Sequence, residues 1–238
     1  MPLRRLTARN RSATANWQLA ALLAFTAGAV DVTGYLALRQ YTSHMSGLIS
    51  LMAADLNLRS MQTLLGPASA LGSFLAGAAL CALMVNWARR RDRESLYAVP
   101  LLFEAALLAS LSIPGTSRHF FLALCTLSFS MGLQNAIITK ISGSVIRTTH
   151  VTGMVTDIGI ELGKAFYWNR TTGRTPVRAE RNRLLLLSML VALFFTGGVV
   201  GAVSYPHLGF SLMLPLAVML AIPTIVPITA DLHTLPAH

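Results

Sequence analysis

The chain has 238 residues, of which 54% are hydrophobic and 12% are charged, and its formal net charge is +10. Soluble domains usually carry about 25% charged residues, so this composition excludes an ordinary soluble domain and indicates an integral membrane protein. Basic residues that bind nucleic acid interleave with polar surface, whereas these lie between apolar runs, as topology signals do. We therefore predict an all-α polytopic protein that has the lipid bilayer, and no nucleic acid, as its partner.

Six apolar segments are candidates to cross the roughly 30 Å of bilayer hydrocarbon. In chain order they cover residues 17–38, 66–88, 97–113, 119–139, 184–204 and 208–228. The third segment is short, and the prolines of the sixth predict a kink or break near its end. Two further apolar stretches, 43–56 and 150–163, are flanked by polar groups and are too short for a comfortable span.

The distribution of Lys and Arg decides whether these two stretches cross, because basic residues concentrate in cytoplasmic loops. If neither crosses, 16 of the 19 basic residues face the cytoplasm, and only Arg39, Arg59 and Arg118 lie outside. If the first of them crossed, the loop "RRRDR" would be forced outside. We therefore predict six crossings with both termini in the cytoplasm.

The two short stretches carry related sequences. "SHMSGLIS" at 43–50 aligns with "THVTGMVT" at 149–156, and every aligned position is identical or conservative. Eleven residues after each histidine comes an acid, Asp55 in the first copy and Glu161 in the second. The hydroxyl-rich beginnings of both copies predict that each starts a short helix, with Thr42 or Ser43 and Thr148 or Thr149 as its cap.

The similarity continues upstream, where Gly28 and Asp31 match Gly132 and Asn135 if the second copy carries two extra residues. Each half then contains three crossings and one short segment, and an odd number of crossings inverts the second half. The predicted organisation is one membrane domain of two inverted repeats with cytoplasmic ends. Its parts are a basic N-terminus (1–16), a first repeat (17–113), a second repeat (117–228) and a tail (229–238).

Two motif blocks, "GAVDVTGYLAL…TSHMSG" and "MGLQNAIITKISGSVIRTTHVTGMVTDIGIELGK", make the chain similar to the YoaK family of bacterial membrane proteins, a domain of unknown function. The resemblance covers about residues 18–228. It implies a six-span protein of the bacterial inner membrane. It brings no established substrate and no catalytic residues.

The repeated motif predicts a binding site for a small polar or ionic solute. A half-helix whose N-terminus dips into the membrane presents free N–H groups, and the two histidines add titratable groups. Ionisable residues within spans are functional candidates by default, which adds Asp31 and, in the third span, Glu104. The candidate site residues are Asp31, Ser43, His44, Ser46, Gly47, Asn135, Thr149, His150, Thr152, Gly153 and Glu104.

Other interpretations remain open at this stage. Small polar residues with glycine also let membrane helices approach closely, so the motif could be a packing seam of a structural or assembly subunit, including a homo-oligomer. Glu104 lies near a predicted cytoplasmic end and could snorkel to water. We expect no enzyme, because Ser43 and His44 are neighbours on a helix and point about 100° apart. No metal or cofactor is expected from the scattered histidines and cysteines.

Overall fold

A computed structural model describes residues 7, 13–57, 61–93, 95–113, 119–141, 149–168 and 176–233. The described chain is built from α-helices and short 3-10 turns. The predicted N-terminal segment, Arg59, Arg118, Thr148 and the end of the predicted tail fall largely outside these residues. The helices are α1 (Ala13–Leu38), α2 (Met45–Asn57), α3 (Met61–Arg90), α4 (Ala98–Leu111), α5 (Phe120–Ile141), α6 (Val151–Ala165), α7 (Arg181–Leu208), α8 (Met213–Ala221) and α9 (Ile225–His233).

Four helical stretches of the described chain are long and apolar enough to cross a membrane. They are Ala15–Leu38, Leu64–Arg90, Phe120–Ile141 and Arg181–Asp231. The last covers 51 residues, which at 1.5 Å per residue is far longer than a bilayer is thick. The third predicted span forms α4, a shorter apolar helix of 14 residues.

Residues with left-handed backbone interrupt the long helices. Arg39 (φ 52°) follows α1, and its amide bonds to the carbonyl of Tyr35 at 2.8 Å, which closes the helix end. Gly209 (φ 54°) follows α7 in the same way. A first break in the 51-residue stretch therefore lies at Gly209, close to the predicted boundary between the fifth and sixth segments. The sequence also predicted a kink or break at the prolines near the end of the sixth segment. Those prolines do interrupt α8 and α9, where Ile222–Thr224 forms a 3-10 turn.

Two helix pairs, α1 with α7 and α3 with α5, form the main contacts of the fold. Gly28 of α1 lies against the backbone carbonyl of Phe194 in α7, and Gly132 of α5 lies in the same way against the carbonyl of Phe74 in α3. In each pair a second glycine returns the contact, Gly197 and Gly77 respectively. Only glycine allows backbones to meet this closely, because any Cβ would overlap the facing carbonyl.

Helices α1 and α7 run in the same direction. Gly197 meets Phe25, and one turn later Gly201 meets Ala29 and lies 3.1 Å from the Oγ1 of Thr33, measured from an ideal Cβ. Residue numbers therefore increase in the same direction along both helices at this contact. Since α7 and α1 are parallel, the residues after Leu208 start at the end of the molecule where α1 ends.

The chain then returns to the opposite end. The hydroxyl of Thr7, before α1, donates to the carbonyl of Pro223 at 2.9 Å, and the amide of Ser95, before α4, donates to Asp231 Oδ2 at 3.1 Å. The amide of Tyr97 also donates to the carbonyl of Thr7 at 3.4 Å. The approach to α1, the start of α4 and the end of α9 therefore lie together, and the stretch after Gly209 runs back along the molecule.

Candidate functional site

A cavity of about 1290 Å³ lies where α1 and α5 meet the beginnings of α2 and α6. Both copies of the repeated motif contribute to its wall. Eight of the eleven residues that the sequence singled out line it, while Gly47, Gly153 and Glu104 do not. The eight are Asp31, Ser43, His44, Ser46, Asn135, Thr149, His150 and Thr152. The similarity of two distant hexapeptides therefore corresponds to a single place in the fold.

Asp31 fixes the loop that leads into α2. Its Oδ1 accepts hydrogen bonds from the hydroxyl of Ser43 (2.9 Å), the hydroxyl of Thr42 (3.1 Å) and the amide of Ser43 (3.2 Å). The side chain lies near the end of α1 and is 9% exposed. A single carboxylate oxygen thus holds three donors, which positions the start of the first motif against α1.

Asn135 has the matching position in the second copy. Its Oδ1 accepts a hydrogen bond from the hydroxyl of Thr149 at 2.7 Å, and its Nδ2 donates to the carbonyl of Met131 at 2.8 Å. The hydroxyl of Thr149 thus donates to Asn135 in the same way as the hydroxyl of Ser43 donates to Asp31. The match of Asp31 with Asn135, inferred from sequence spacing, is therefore accompanied by the same kind of contact in both copies.

Each motif histidine folds back over the glycine three residues after it. Nδ1 of His150 accepts a hydrogen bond from the amide of Gly153 at 3.1 Å, which makes His150 the N-cap of α6. A Cβ on Gly153 would overlap this ring, and a Cβ on Gly47 would overlap the ring of His44. The two glycines thus lie directly beneath the imidazole rings, where a side chain would collide with the ring. This position explains their absence from the cavity wall.

The predicted hydroxyl caps are wrong in detail. Helix α6 begins at Val151 and is capped by His150, while Thr149 binds Asn135 instead. Helix α2 begins at Met45, and the side chain of Ser43 is bonded to Asp31. The arrangement is the same in both copies: the hydroxyl donates to a carboxylate or amide oxygen of the preceding helix, and the histidine is the residue directly before the short helix.

Glu104 lies elsewhere. It is in the middle of α4, its side chain is fully buried, and neither carboxylate oxygen has a hydrogen-bond partner among the described residues. The expectation that it snorkels to water is wrong, because its side chain is fully buried among the packed helices. It does not share the cavity with the motif residues.

Sequence reasoning missed several residues of the cavity. Lys140 in the last turn of α5, Tyr41 before α2, and Phe74 and Phe194 of the crossing helices all line it. The phenylalanines carry a detectable signal, since each is followed three residues later by one of the paired glycines, Gly77 and Gly197. The sequence pattern assigns Lys140 only to the basic residues that face the cytoplasm.

Glu161 also has a clear structural contact, away from the cavity. Its Oε1 pairs with Nζ of Lys164, three residues later in α6, at 2.8 Å, and its Oε2 accepts from the amide of Glu180 at 2.8 Å. These two hydrogen bonds hold the pKa of Glu161 below its usual range. The residue is only 1% exposed. It ties α6 to the segment that begins α7.

The cavity can offer a polar solute hydroxyl, imidazole, amide, carboxylate and ammonium groups within one enclosure. Its charged residues are Asp31 on α1 and Lys140 on α5, and its polar wall comes from both motif copies. Apolar rings of Phe74 and Phe194 complete it. An apolar frame with a few convergent polar groups is the usual composition of a small-molecule site.

Comparison with known proteins gives the chain a family. Residues 19–226 match the family described as "Protein of unknown function (DUF1275)". The chain is also 27% identical over 192 residues to a "UPF0700 transmembrane protein YoaK" from Bacillus subtilis (strain 168), covering 79% of this chain and 83% of that protein. No solved structure matches. With its long apolar helices, this chain is a multi-pass membrane protein and belongs to the DUF1275 family.

Proposed function

We propose that the chain crosses a bacterial inner membrane six times, as two inverted repeats with both termini in the cytoplasm. The reciprocal glycine contacts support this, because the α1–α7 pair and the α3–α5 pair use equivalent residues with the repeats exchanged. The return of the chain after Gly209 supports a separate sixth crossing. In this arrangement α2 lies at the outer side and α6 at the cytoplasmic side, and neither spans.

Reporter fusions test this topology directly. Alkaline phosphatase and green fluorescent protein fused after Arg93 and after Arg174 should both report the cytoplasmic side, and fusions after Arg59 the outer side. Fusions after Arg93 and Arg174 on opposite sides would refute the inverted repeat. The fusion after Arg59 serves as the control, since it must differ from the other two in a folded protein.

We propose further that the protein is a small transporter or channel for a polar or ionic solute. The single observation that carries this is the cavity between the two motif copies, with His44 and His150 both in its wall. Binding sites at the interface of inverted repeats, next to the N-termini of short helices, are typical of secondary transporters. Transport is favoured over catalysis because the hydroxyl of Ser43 donates to Asp31 and not to a histidine.

Reconstitution tests this proposal. Purified protein in liposomes is screened for electrogenic and tracer flux with a panel of inorganic cations, inorganic anions, amines and amino acids. His44→Ala or His150→Ala should abolish the flux while folded yield is retained. Leu75→Ala, on a face of α3 turned away from the protein, should leave the flux unchanged.

A packing seam in a structural or assembly subunit is the second candidate. The fit of each histidine ring over its glycine favours it, because this contact would serve folding even without a solute. If His44→Ala and His150→Ala both lose folded protein, and no member of the panel moves, the seam interpretation replaces transport. Density measurements in detergent would then show whether the subunit forms a homo-oligomer.

A further inference from the structure

In both motif copies a side chain of the preceding helix holds the loop before the short helix, but the two side chains differ in chemistry. In the first copy an acid, Asp31, accepts from the hydroxyl of Ser43, and in the second an amide, Asn135, accepts from the hydroxyl of Thr149. Both distances are those of ordinary hydrogen bonds, 2.9 and 2.7 Å. A neutral oxygen is therefore sufficient to hold the loop before the short helix. A negative charge on Asp31 is not needed for this task.

Maintaining that charge inside a membrane protein is costly unless a positive group compensates it. Among the described residues no Lys, Arg or His forms an ion pair with Asp31, and the three donors to Oδ1 are all uncharged groups. Lys140 lines the same cavity, but it is not within ion-pair distance of Asp31. The hydrogen bonds that hold the carboxylate come from the loop residues Thr42 and Ser43. The uncompensated carboxylate therefore faces a cavity large enough for a small molecule.

Aromatic rings line the same cavity as the carboxylate. Tyr41 stacks on Tyr35 with ring centroids 4.7 Å apart and meets His44 edge-on at 5.6 Å. Tyr41, Phe74 and Phe194 line the cavity together with Asp31. Aromatic faces attract organic cations more readily than strongly hydrated metal ions. Carboxylate and rings together match an ammonium or guanidinium group.

We propose that Asp31 binds the positively charged group of the solute, and that the solute is an organic cation or carries an organic cationic end. This inference rests on the proposed transport function, since it assigns a chemical class to the same cavity. Asn135 is the neutral counterpart that anchors the second motif without taking part in charge recognition. The asymmetry between the copies thus distinguishes the cation-binding half of the site from the other half.

The experiment uses Asp31→Asn, which reproduces the natural residue of the second copy. Purified protein is titrated with tetramethylammonium and methylguanidinium, with neutral neopentyl alcohol and methylurea as shape-matched controls, and with sodium chloride. Binding is read by calorimetry and by the rise in melting temperature that any ligand of the folded state produces. The two organic cations should bind the wild type, and the neutral controls should not.

In Asp31→Asn the affinity for the organic cations should fall by about tenfold or more, as expected when one member of a buried charge pair is neutralised. The melting temperature without ligand should stay close to that of the wild type, because the hydrogen bonds to Ser43 and Thr42 are kept. Leu75→Ala, on a face of α3 turned away from the protein, should leave the wild-type affinity in place. Equal cation affinity in Asp31→Asn and wild type would overturn the proposal, as would binding of the neutral controls alone.

If Asp31→Asn does not fold, Tyr41→Leu provides a second test, because it removes the aromatic face and leaves the carboxylate. A loss of organic-cation binding in Tyr41→Leu supports the proposal, and unchanged binding refutes it. Binding of sodium ions alone would also refute it, since the rings would then have no role. Organic-cation binding without any flux in liposomes would refute transport and leave the cation site intact. Flux of neutral or anionic solutes that Asp31→Asn does not change would refute the cation site and leave transport intact.

Discussion

At the residue scale, the central feature is a histidine that caps the N-terminus of the helix that follows it. Nδ1 of His150 accepts the amide hydrogen of Gly153, a donor that has no partner within the helix. A hydroxyl or carboxylate usually caps a helix, but an imidazole reaches the same donor and leaves its other edge toward the cavity. The glycine is required because a Cβ at position 153 would occupy the space of the ring.

Gly153→Ala should therefore uncap α6. Loss of an N-cap costs about 0.5–2 kcal/mol, so amide hydrogen exchange in the first turn of α6 should become several-fold faster by local opening. The matched control is Gly159→Ala in the same helix, where a Cβ meets nothing within 4 Å. An unchanged exchange rate in Gly153→Ala would show that the ring does not cap the helix.

The sequence predicted most of this site because its two halves repeat. Asp31, Asn135, Ser43, Thr149 and both motif histidines could be found by aligning the chain with itself. The identity of the cap could not, because the choice between hydroxyl and imidazole depends on an acceptor from the preceding helix. Lys140 was missed because a basic residue near a helix end is equally well explained by topology. That Glu104 lies outside the cavity could not be predicted, because its position along the helix does not show what its side chain packs against.

At the element scale, glycine pairs set the distance between crossing helices. Gly28 and Gly197 join α1 to α7, and Gly132 and Gly77 join α5 to α3. Apolar burial gives no preference for helix contacts over lipid contacts inside a bilayer, so close packing has to supply the association. These four positions are therefore where the bundle should be most sensitive to an added methyl group.

Gly132→Ala and Gly28→Ala should each lower stability by about 1–3 kcal/mol, the usual cost of overpacking, because the new Cβ overlaps a backbone carbonyl that cannot rotate away. Thermal unfolding in detergent measures this. Gly72→Ala in α3 is the control: no atom lies within 4 Å of its Cβ, so alanine there should leave the melting temperature unchanged or raise it. Equal melting temperatures for all three variants would contradict the packing scheme.

The connection between α6 and α7 should depend on pH through Glu161. Its pKa is lowered by Lys164 and by the amide of Glu180, so the folded state favours the ionised form. The stabilisation is complete above the ordinary glutamate pKa of about 4.3 and is lost as the pH falls through the lower folded-state value. The melting temperature of the wild type should exceed that of Glu161→Gln at neutral pH, and the two should converge in acid. A difference that persists in acid would assign the contact to packing.

The elements themselves were predictable to different degrees. Both short motif helices and the long apolar helices were evident from run length and flanking charge. The break at Gly209 lies close to the predicted boundary between the fifth and sixth segments, and the 3-10 turn at Ile222–Thr224 lies at the prolines that were predicted to interrupt the sixth. The short α4 follows from residues near 95–97 that form turns contacting Thr7 and Asp231, a tertiary interaction that local sequence does not contain.

At the scale of the whole molecule, the account requires that two halves, inverted relative to each other, enclose one aqueous site. The parallel course of α1 and α7 and the meeting of Thr7, Ser95 and Asp231 at one end fit this arrangement. Basic residues placed between apolar runs would hold the molecule in one orientation. In the proposed topology the motif copies would approach the same cavity from opposite sides of the bilayer.

Thiol accessibility tests this claim most directly. Cysteine is introduced at Ser46, at Thr152 or at Leu75 in a protein whose Cys81 and Cys125 are replaced by alanine, and each variant in liposomes is treated with a charged, water-soluble maleimide. Ser46→Cys and Thr152→Cys should both react, and bound solute should protect both, because they line one cavity. Leu75→Cys, which is 69% exposed on a face predicted to meet lipid, should not react. Labelling of Ser46→Cys and Thr152→Cys no faster than of Leu75→Cys would contradict the account.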